Sequence, residues 1–249
     1  MPTNDVSDLA SRLDDARSVT VITGAGVSAP SGVPTFRDDH GLWKNHRPEE
    51  LATPQAFASD PTMIWEWYNW RRELVAQCQP NAAHHILAKW ASSARVTTII
   101  TQNVDGLHER AGTDGVIRFH GSIWELRCWK ECDAGKIAWQ DSAVPLHPLP
   151  PRCPYCDELA RPGVVWFGEH ITPDVLSASL HAARCEVFLT IGTSAIVQPA
   201  ASLVHTAKQG GAFTAEINLE PTPSSTEVDI AIQGSADHIL VEIERQRDN

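Results

Sequence analysis

The sequence predicts an α/β protein built on a parallel, doubly wound sheet, interrupted by a small inserted module. Two patterns carry that expectation. Short runs rich in β-branched and apolar residues (VTVIT at 19–23, VTTIIT at 96–101, VFLTI at 187–191) and FTAEIN at 213–218 alternate with longer segments whose apolar residues recur at helical spacing. The stretch from Cys128 to Pro162 breaks this alternation with short, proline-rich sequence holding four of the six cysteines. A length of 249 residues suits one large domain or a domain with a sizeable insertion.

The elements follow in order. Ser7 to Ala16 places Leu9, Leu13 and Ala16 on one helical face, and the strand at 19–23 then enters a glycine-rich turn. Pro30, Gly32 and Pro34 stop any helix within a turn or two, and 34–48 has no apolar period. Pro61 to Cys78 carries Ile64, Trp67, Trp70, Leu74 and Val75 and reads as a long amphipathic helix, followed by a second at 82–91. The strand at 96–101 comes next, then one at 116–119. Helices near 174–183, 199–209 and 236–246 flank the last two strands.

Composition removes several function classes. Hydrophobic residues make up 42% and charged residues 20%, and no apolar run approaches the roughly 18 to 20 residues of a membrane span. The acidic, polar N-terminus MPTNDVSDLASRLDDA does not resemble a secretory signal, so a cytoplasmic protein is expected. The net charge is −11 and no basic cluster exceeds Arg71-Arg72, which argues against a nucleic-acid-tracking face.

Five features carry chemistry. Gly24-Ala25-Gly26-Val27-Ser28-Ala29 satisfies G-x-G-x-x-A directly after a strand, where missing side chains let backbone N–H groups approach a pyrophosphate; the alternative is a tight turn that needs glycine anyway. A dehydrogenase would continue with an unbroken helix and a second strand, and this chain does not. Cys128-x₃-Cys132, then twenty residues, then Cys153-x₂-Cys156 supplies four thiolates for one tetrahedral, structural Zn²⁺; buried free thiols are the alternative. The third residue of the first spacer lengthens the usual C-x₂-C knuckle. Asn103-Val104-Asp105-Gly106 after the 96–101 strand suits a ligand site or a helix cap, and a lone histidine such as His120 is ordinarily structural. Tyr68 and Arg71 share a helix face at i and i+3, which could be a snorkelling arginine beside an amphipathic tyrosine.

Taken together, GAGVSAPSGVPTFRD (24–38), TQNVDGLHERAG (101–112), FHGS (119–122), VVWFGE (164–169), IGTS (191–194) and NLEP (218–221) resemble the sirtuins, NAD-dependent protein-lysine deacylases, over residues 18–240. The resemblance implies a Rossmann-type large domain (1–37, 80–124 and 162–249) and a small domain (38–79 and 125–161) made of a helical segment and a zinc-ribbon module. NAD and an acyl-lysine peptide would meet between them. It further implies that Gly24, Ala25, Gly26, Thr35, Phe36 and Arg37 lie against the phosphates and nicotinamide ribose. Gln102, Asn103 and Asp105 would serve the nicotinamide end, with Gly192, Thr193, Ser194, Asn218 and Glu220 holding the adenosine half. His120 becomes the general base that deprotonates a ribose hydroxyl. Val165, Phe167 and Gly168 would contact the peptide. WEWYNWRREL and LATPQAFA are similar to class III sirtuins, which implies that Tyr68 and Arg71 bind a carboxylate-ended acyl group in a pocket widened by Ala52 and Ala56. The expected reaction is removal of succinyl, malonyl or glutaryl groups, with some acetyl, releasing nicotinamide and O-acyl-ADP-ribose. An ADP-ribosyltransferase or NAD glycohydrolase on the same nucleotide site, and a non-catalytic NAD-sensing zinc-ribbon protein, are the rivals. Gly163 departs from the histidine that close relatives often carry there.

Overall fold

The strand segments at 19–23 and 187–191 are buried along their whole length, and those at 96–101 and 213–218 over 99–101 and 214–217, so both faces of each are covered even where threonine interrupts the apolar run. In the computed structural model, which describes residues 3–34, 46–93 and 96–247, they form the centre of a six-stranded parallel sheet. Its strands are β1 (Ser18–Thr23), β2 (Val96–Thr101), β3 (Ile117–Arg118), β7 (Val187–Ile191), β8 (Phe213–Asn218) and β9 (Ile230–Gln233). Their spatial order, β3-β2-β1-β7-β8-β9, is the doubly wound Rossmann order, and it reverses direction between β1 and β7. Strand β9 escapes the sequence reading because IAIQ is only four residues long and alternates buried and exposed at the sheet edge.

The alternation of side chains along each strand feeds two cores. Val19 and Val21 of β1 and Val187, Leu189 and Ile191 of β7 face α1 (Thr3–Asp15), α6 (Ala82–Ala91) and α10 (Ala236–Arg247). Ile22 and Phe188 face the opposite side, where they pack with residues of α8 (Pro173–Ala182) and α9 (Leu203–Gln209). The helices expected at 61–78 and 82–91 are present as α5 (Pro61–Gln77) and α6, each started by a side-chain cap, Asp60 on Met63 N–H and Asn81 on Ala83 N–H. The short α2 (Ala25–Ser28) ends through a 3₁₀ turn at Gly32, whose φ of +92° suits glycine, as Pro30 and Gly32 predict.

The Cys128–Pro162 region belongs to a three-stranded antiparallel sheet of β4 (Gly121–Cys128), β5 (Trp139–Gln140) and β6 (Ala160–Val164) in the order β5-β4-β6. Strands β4 and β6 run across the boundaries expected at 124/125 and 161/162, so a division there cuts through paired strands. Helix α5 docks on this sheet and its loops through Trp65, Asn69 and Arg72, spaced i, i+4, i+7. Trp65 Nε1 donates to the Ala160 carbonyl (2.9 Å), Asn69 exchanges two hydrogen bonds with Leu146 (2.9 Å each), and Arg72 donates to Asp141 Oδ1 (2.8 Å). Asn69 and Arg72 are buried, so the inward face of α5 is more polar than its apolar period suggests. Among the described residues no helix is long and apolar enough to cross a membrane.

Candidate active site

Strands β1, β2, β7 and β8 end on one edge of the sheet, and the reversal between β1 and β7 opens a crevice there. The Gly24–Gly26 turn leaves β1, the Gly192 turn leaves β7, and the two main chains touch. Gly24 N–H donates to the Ile191 carbonyl (3.0 Å) and Gly26 N–H to the Gly192 carbonyl (2.8 Å). A Cβ on Gly26 would stand 2.8 Å from Gly192 Cα, and one on Gly192, whose φ is +61°, would stand 2.6 Å from Val27 N. These glycines therefore shape the crevice by close approach, and the N–H groups of Gly24 and Gly26 are used in joining the turns. Ala25 starts α2 between them. Asn218 Nδ2 donates to the Thr193 carbonyl (2.8 Å) and Gln102 Nε2 to Thr193 Oγ1 (2.9 Å), which ties the ends of β2, β7 and β8 together. Ser194 is half-buried in the same loop, Glu220 is exposed past β8, and Ile196 and Leu219 leave apolar surface at these strand ends. A narrow backbone cradle beside uncovered apolar surface fits a dinucleotide. Thr35, Phe36 and Arg37 lie outside the described residues.

Asn103 and Asp105 meet behind this turn. Asn103 Nδ2 donates to the Gly24 carbonyl (3.0 Å) and to Ser28 Oγ (3.1 Å). His84 Nδ1 accepts Asn81 N–H (3.2 Å), so its hydrogen sits on Nε2 and points at Ser28 Oγ (3.3 Å). The Ser28 hydroxyl in turn bonds Asp105, whose Oδ1 also accepts Leu107 N–H (2.9 Å). Burial pushes the Asp105 carboxyl above its ordinary range, and the Leu107 and Ser28 hydrogen bonds oppose that. Asp105 thus makes the turn contact that its sequence context allows, within a buried polar network. Sequence alone assigns Ser28 no role beyond its place in the glycine motif and sets the His84-His85 pair aside; the polar fifth residue of that motif was the available signal.

His120 follows β3 and is oriented by Gln102. Its Nδ1 lies 3.0 Å from the Gln102 carbonyl, an acceptor only, so Nδ1 carries the hydrogen and Nε2 is the free base. Burial lowers its pKa, with the Gln102 contact opposing, and the ring is neutral at pH 7. Phe119 packs edge-on against it at 5.4 Å.

Three successive residues after β6 stitch His120 to the helical segment. Val165 N–H donates to the His120 carbonyl, Trp166 Nε1 to the Tyr68 hydroxyl and Phe167 N–H to the Ala52 carbonyl, each at 2.9 Å. Ala52, Tyr68 and Trp166 are buried in one cluster with Ala56 against it, Phe167 is 43% exposed, and Gly168 takes φ +86°. Burial pushes the Tyr68 phenol up to about 12, although Arg71 pulls the other way, so it stays protonated. Arg71, one turn on, is half-buried with its guanidinium 5.2 Å from the Trp67 ring. Trp166 is the residue that the sequence reading missed in this segment. Gly163 lines a cavity of about 700 Å³ together with Val165, Phe119, Arg118, Glu125 and Arg127. A Cβ there would meet Glu125 Cβ at 2.7 Å, because the irregular pairing between Ser122 and Leu126 pushes Glu125 across it.

The four cysteines converge, with all sulfurs within 4.8 Å of one another, Cys128–Cys156 at 3.6 Å and Cys132–Cys153 at 3.8 Å. Tetrahedral Zn–S bonds of about 2.3 Å put sulfurs about 3.8 Å apart, so the set fits one structural zinc. Glu131 absorbs the extra residue of the first knuckle by taking φ +50°, and Gly135 N–H donates to Cys132 Sγ (3.3 Å).

A family model described as the Sir2 family matches residues 24–199. Over 243 residues, 97% of this chain and 99% of the other, the chain is 43% identical to NAD-dependent protein deacylase 1 of Caldanaerobacter subterraneus subsp. tengcongensis. It is 46% identical to NAD-dependent protein deacylase 1 of Archaeoglobus fulgidus over 95% of this chain and 96% of that one. A solved Sir2 homolog–NAD complex superposes with a TM-score of 0.90 at 44% identity, covering 97% of this chain and 93% of that one. A Sir2–p53 peptide–NAD⁺ complex gives 0.82 at 27% identity, over 96% and 97%. Fold, motif order and near-full-length identity agree, and the chain belongs to the Sir2 family of NAD-dependent protein deacylases.

Proposed function

We propose that this deacylase favours lysines whose acyl group ends in a carboxylate (succinyl, malonyl or glutaryl), retains some action on acetyl-lysine, and transfers the acyl group to ADP-ribose. The observation that carries this reading is the Tyr68–Arg71 pair. A buried phenol, held protonated, stands one helical turn from a guanidinium, in the cluster that contains Ala52 and is stitched to His120. A carboxylate accepts from both groups, whereas an acetyl methyl offers neither an acceptor.

When bound, NAD supplies the electrophilic ribose carbon and the nicotinamide leaving group. The turns at Gly24–Gly26 and Gly192–Ser194, with Asn218 and Glu220, would hold it along the strand ends, while Asn103 and Asp105 orient the nicotinamide end from their Ser28-centred network. Thr35, Phe36 and Arg37 would cover it. His120 Nε2, freed by the Nδ1 contact with Gln102, accepts the proton of a ribose hydroxyl as that oxygen attacks. Val165, Phe167 and Gly168 line the acyl-lysine peptide, and the zinc module with the helical segment forms the smaller domain around it. We place this activity in the cytoplasm.

An acyl-peptide panel with NAD tests the reading: succinyl, malonyl or glutaryl turnover should exceed acetyl turnover and match nicotinamide release. In Arg71→Met, succinyl kcat/KM should fall at least about ten-fold while acetyl kcat/KM stays within a few-fold. Equal losses on both peptides would remove the acidic-acyl preference, and NAD loss indifferent to peptide would favour a glycohydrolase.

A further inference from the structure

The Trp166–Tyr68 contact has a fixed direction. Indole nitrogen is a donor only, so the 2.9 Å hydrogen bond from Trp166 Nε1 must end on a lone pair of the Tyr68 oxygen. The phenol hydrogen is therefore not used on Trp166, and no acceptor for it appears among the described residues, although Tyr68 is only 4% exposed. A buried O–H without an acceptor is a group waiting for one, because leaving it unpaired costs free energy.

Trp166 is itself held on every side. Its backbone N–H donates to Glu169 Oε2 (2.8 Å), its ring lies 3.5 Å from the Arg161 guanidinium, and Arg161 grips Glu169 with both terminal nitrogens. Phe57 packs on the ring at 5.3 Å, and the peptide groups on either side are pinned to His120 and Ala52. The indole cannot turn away to free the tyrosine lone pair.

We propose that Trp166 is a positioning residue for acyl selectivity: by filling an acceptor site on the Tyr68 oxygen, it leaves the phenol hydrogen as the donor offered to the acyl carboxylate. This inference rests on the acidic-acyl reading above. Without the indole donor, the phenol could rotate and its oxygen would stand toward the acyl carboxylate as a lone pair for part of the time. Such an arrangement repels the carboxylate and leaves an acetyl group indifferent.

Trp166→Phe keeps an aromatic ring under Arg161 while removing the N–H donor and shrinking the buried side chain. Its KM for succinyl-peptide should rise by roughly five- to ten-fold, the loss of one oriented hydrogen bond to a charged group, with kcat nearly unchanged. KM for acetyl-peptide and for NAD should stay within about two-fold, and Tyr68→Phe in the Trp166→Phe background should add little, since the two act as one unit. Equal losses on both peptides, or an unmoved succinyl KM, would overturn the proposal.

A wild-type enzyme without preference for succinyl over acetyl would instead sink the acidic-acyl reading. The Trp166–Tyr68 coupling is then judged from the ¹⁵N indole spectrum. The Trp166 Nε1–H resonance, assigned by triple-resonance methods, should move when succinyl-peptide is added to wild-type protein and should not move in Tyr68→Phe. That readout also serves should Trp166→Phe fail to fold. A resonance indifferent to peptide in the wild-type protein, or one that moves equally in Tyr68→Phe, overturns the inference.

Discussion

The strand-end crevice and the cluster proposed to face the acyl group are built on opposite principles. At the crevice the shape is main chain: Gly24, Gly26 and Gly192 bring two turns to contact, and an added Cβ would collide at 2.6 to 2.8 Å. At the acyl side the shape is side chain: Ala52, Tyr68, Arg71, His120 and Trp166 come from four segments, joined by single hydrogen bonds of 2.9 Å. The crevice is intolerant of added volume. The acyl side depends on matched donors and acceptors, so on the proposed reading specificity would shift there without loss of the fold.

The zinc module supports the acyl side, through the docking of α5 on Ala160, Asp141 and Leu146, and should give the largest effect. Cys153→Ser should lose zinc and unfold the three-stranded sheet, because structural zinc contributes its binding free energy to folding. Metal analysis should find one zinc per chain in the parent protein, and a soluble, active, metal-free variant would detach the module from the site.

His120→Ala should lower deacylation by about 10² to 10⁴ while NAD affinity stays near the parent value, since the proposed general base is removed and the turns are untouched. Matching losses in rate and in NAD affinity, read by steady-state kinetics and calorimetry, would move His120 from the acyl side of the comparison to the nucleotide side.

Gly192→Ala probes the crevice directly. The new methyl meets Val27 N and the Gly26 backbone at a residue with φ +61°, so melting should report a loss of about 1 to 3 kcal/mol, together with weaker NAD binding. An unchanged KM for NAD would show that the two turns can part without disturbing the nucleotide.

The polar network behind the crevice should make stability depend on pH. Burial holds His84 at about 3 and His108 at about 4, so both are neutral in the fold. An unfolded histidine titrates near ~6.5, hence the unfolded chain binds more protons between about pH 6.5 and pH 4, and stability rises with pH across that window. Acidification from pH 7 to 5 should remove up to about 2 kcal/mol per histidine. His108→Gln, which can still donate to Thr23 Oγ1, should flatten the dependence of melting temperature on pH, and an unaltered slope would mean that other groups set it.

Much of the crevice was legible because its chemistry is local. VTVIT followed by GAG, VTTIIT followed by QNVD and VFLTI followed by GTS each write a strand and its turn in consecutive residues. The strands at 96–101, 187–191 and 213–218 fall on the expected residues. The four cysteines were legible for the same reason, since two short knuckles announce ligands wherever the chain carries them. Resemblance, rather than period or spacing, singled out Tyr68, Arg71 and His120.

What the sequence by itself determined is the alternation of buried strand and amphipathic helix, the places where only glycine fits, and the supply of four thiolates. Only the tertiary structure decided which hydrogen-bonding groups meet. Trp166 on Tyr68, His84 on Ser28 and Asn69 on Leu146 join residues 98, 56 and 77 positions apart. No local period encodes such pairings. A buried donor finds its acceptor across the packed interface, and the cost of leaving it unpaired appears only once the interface exists.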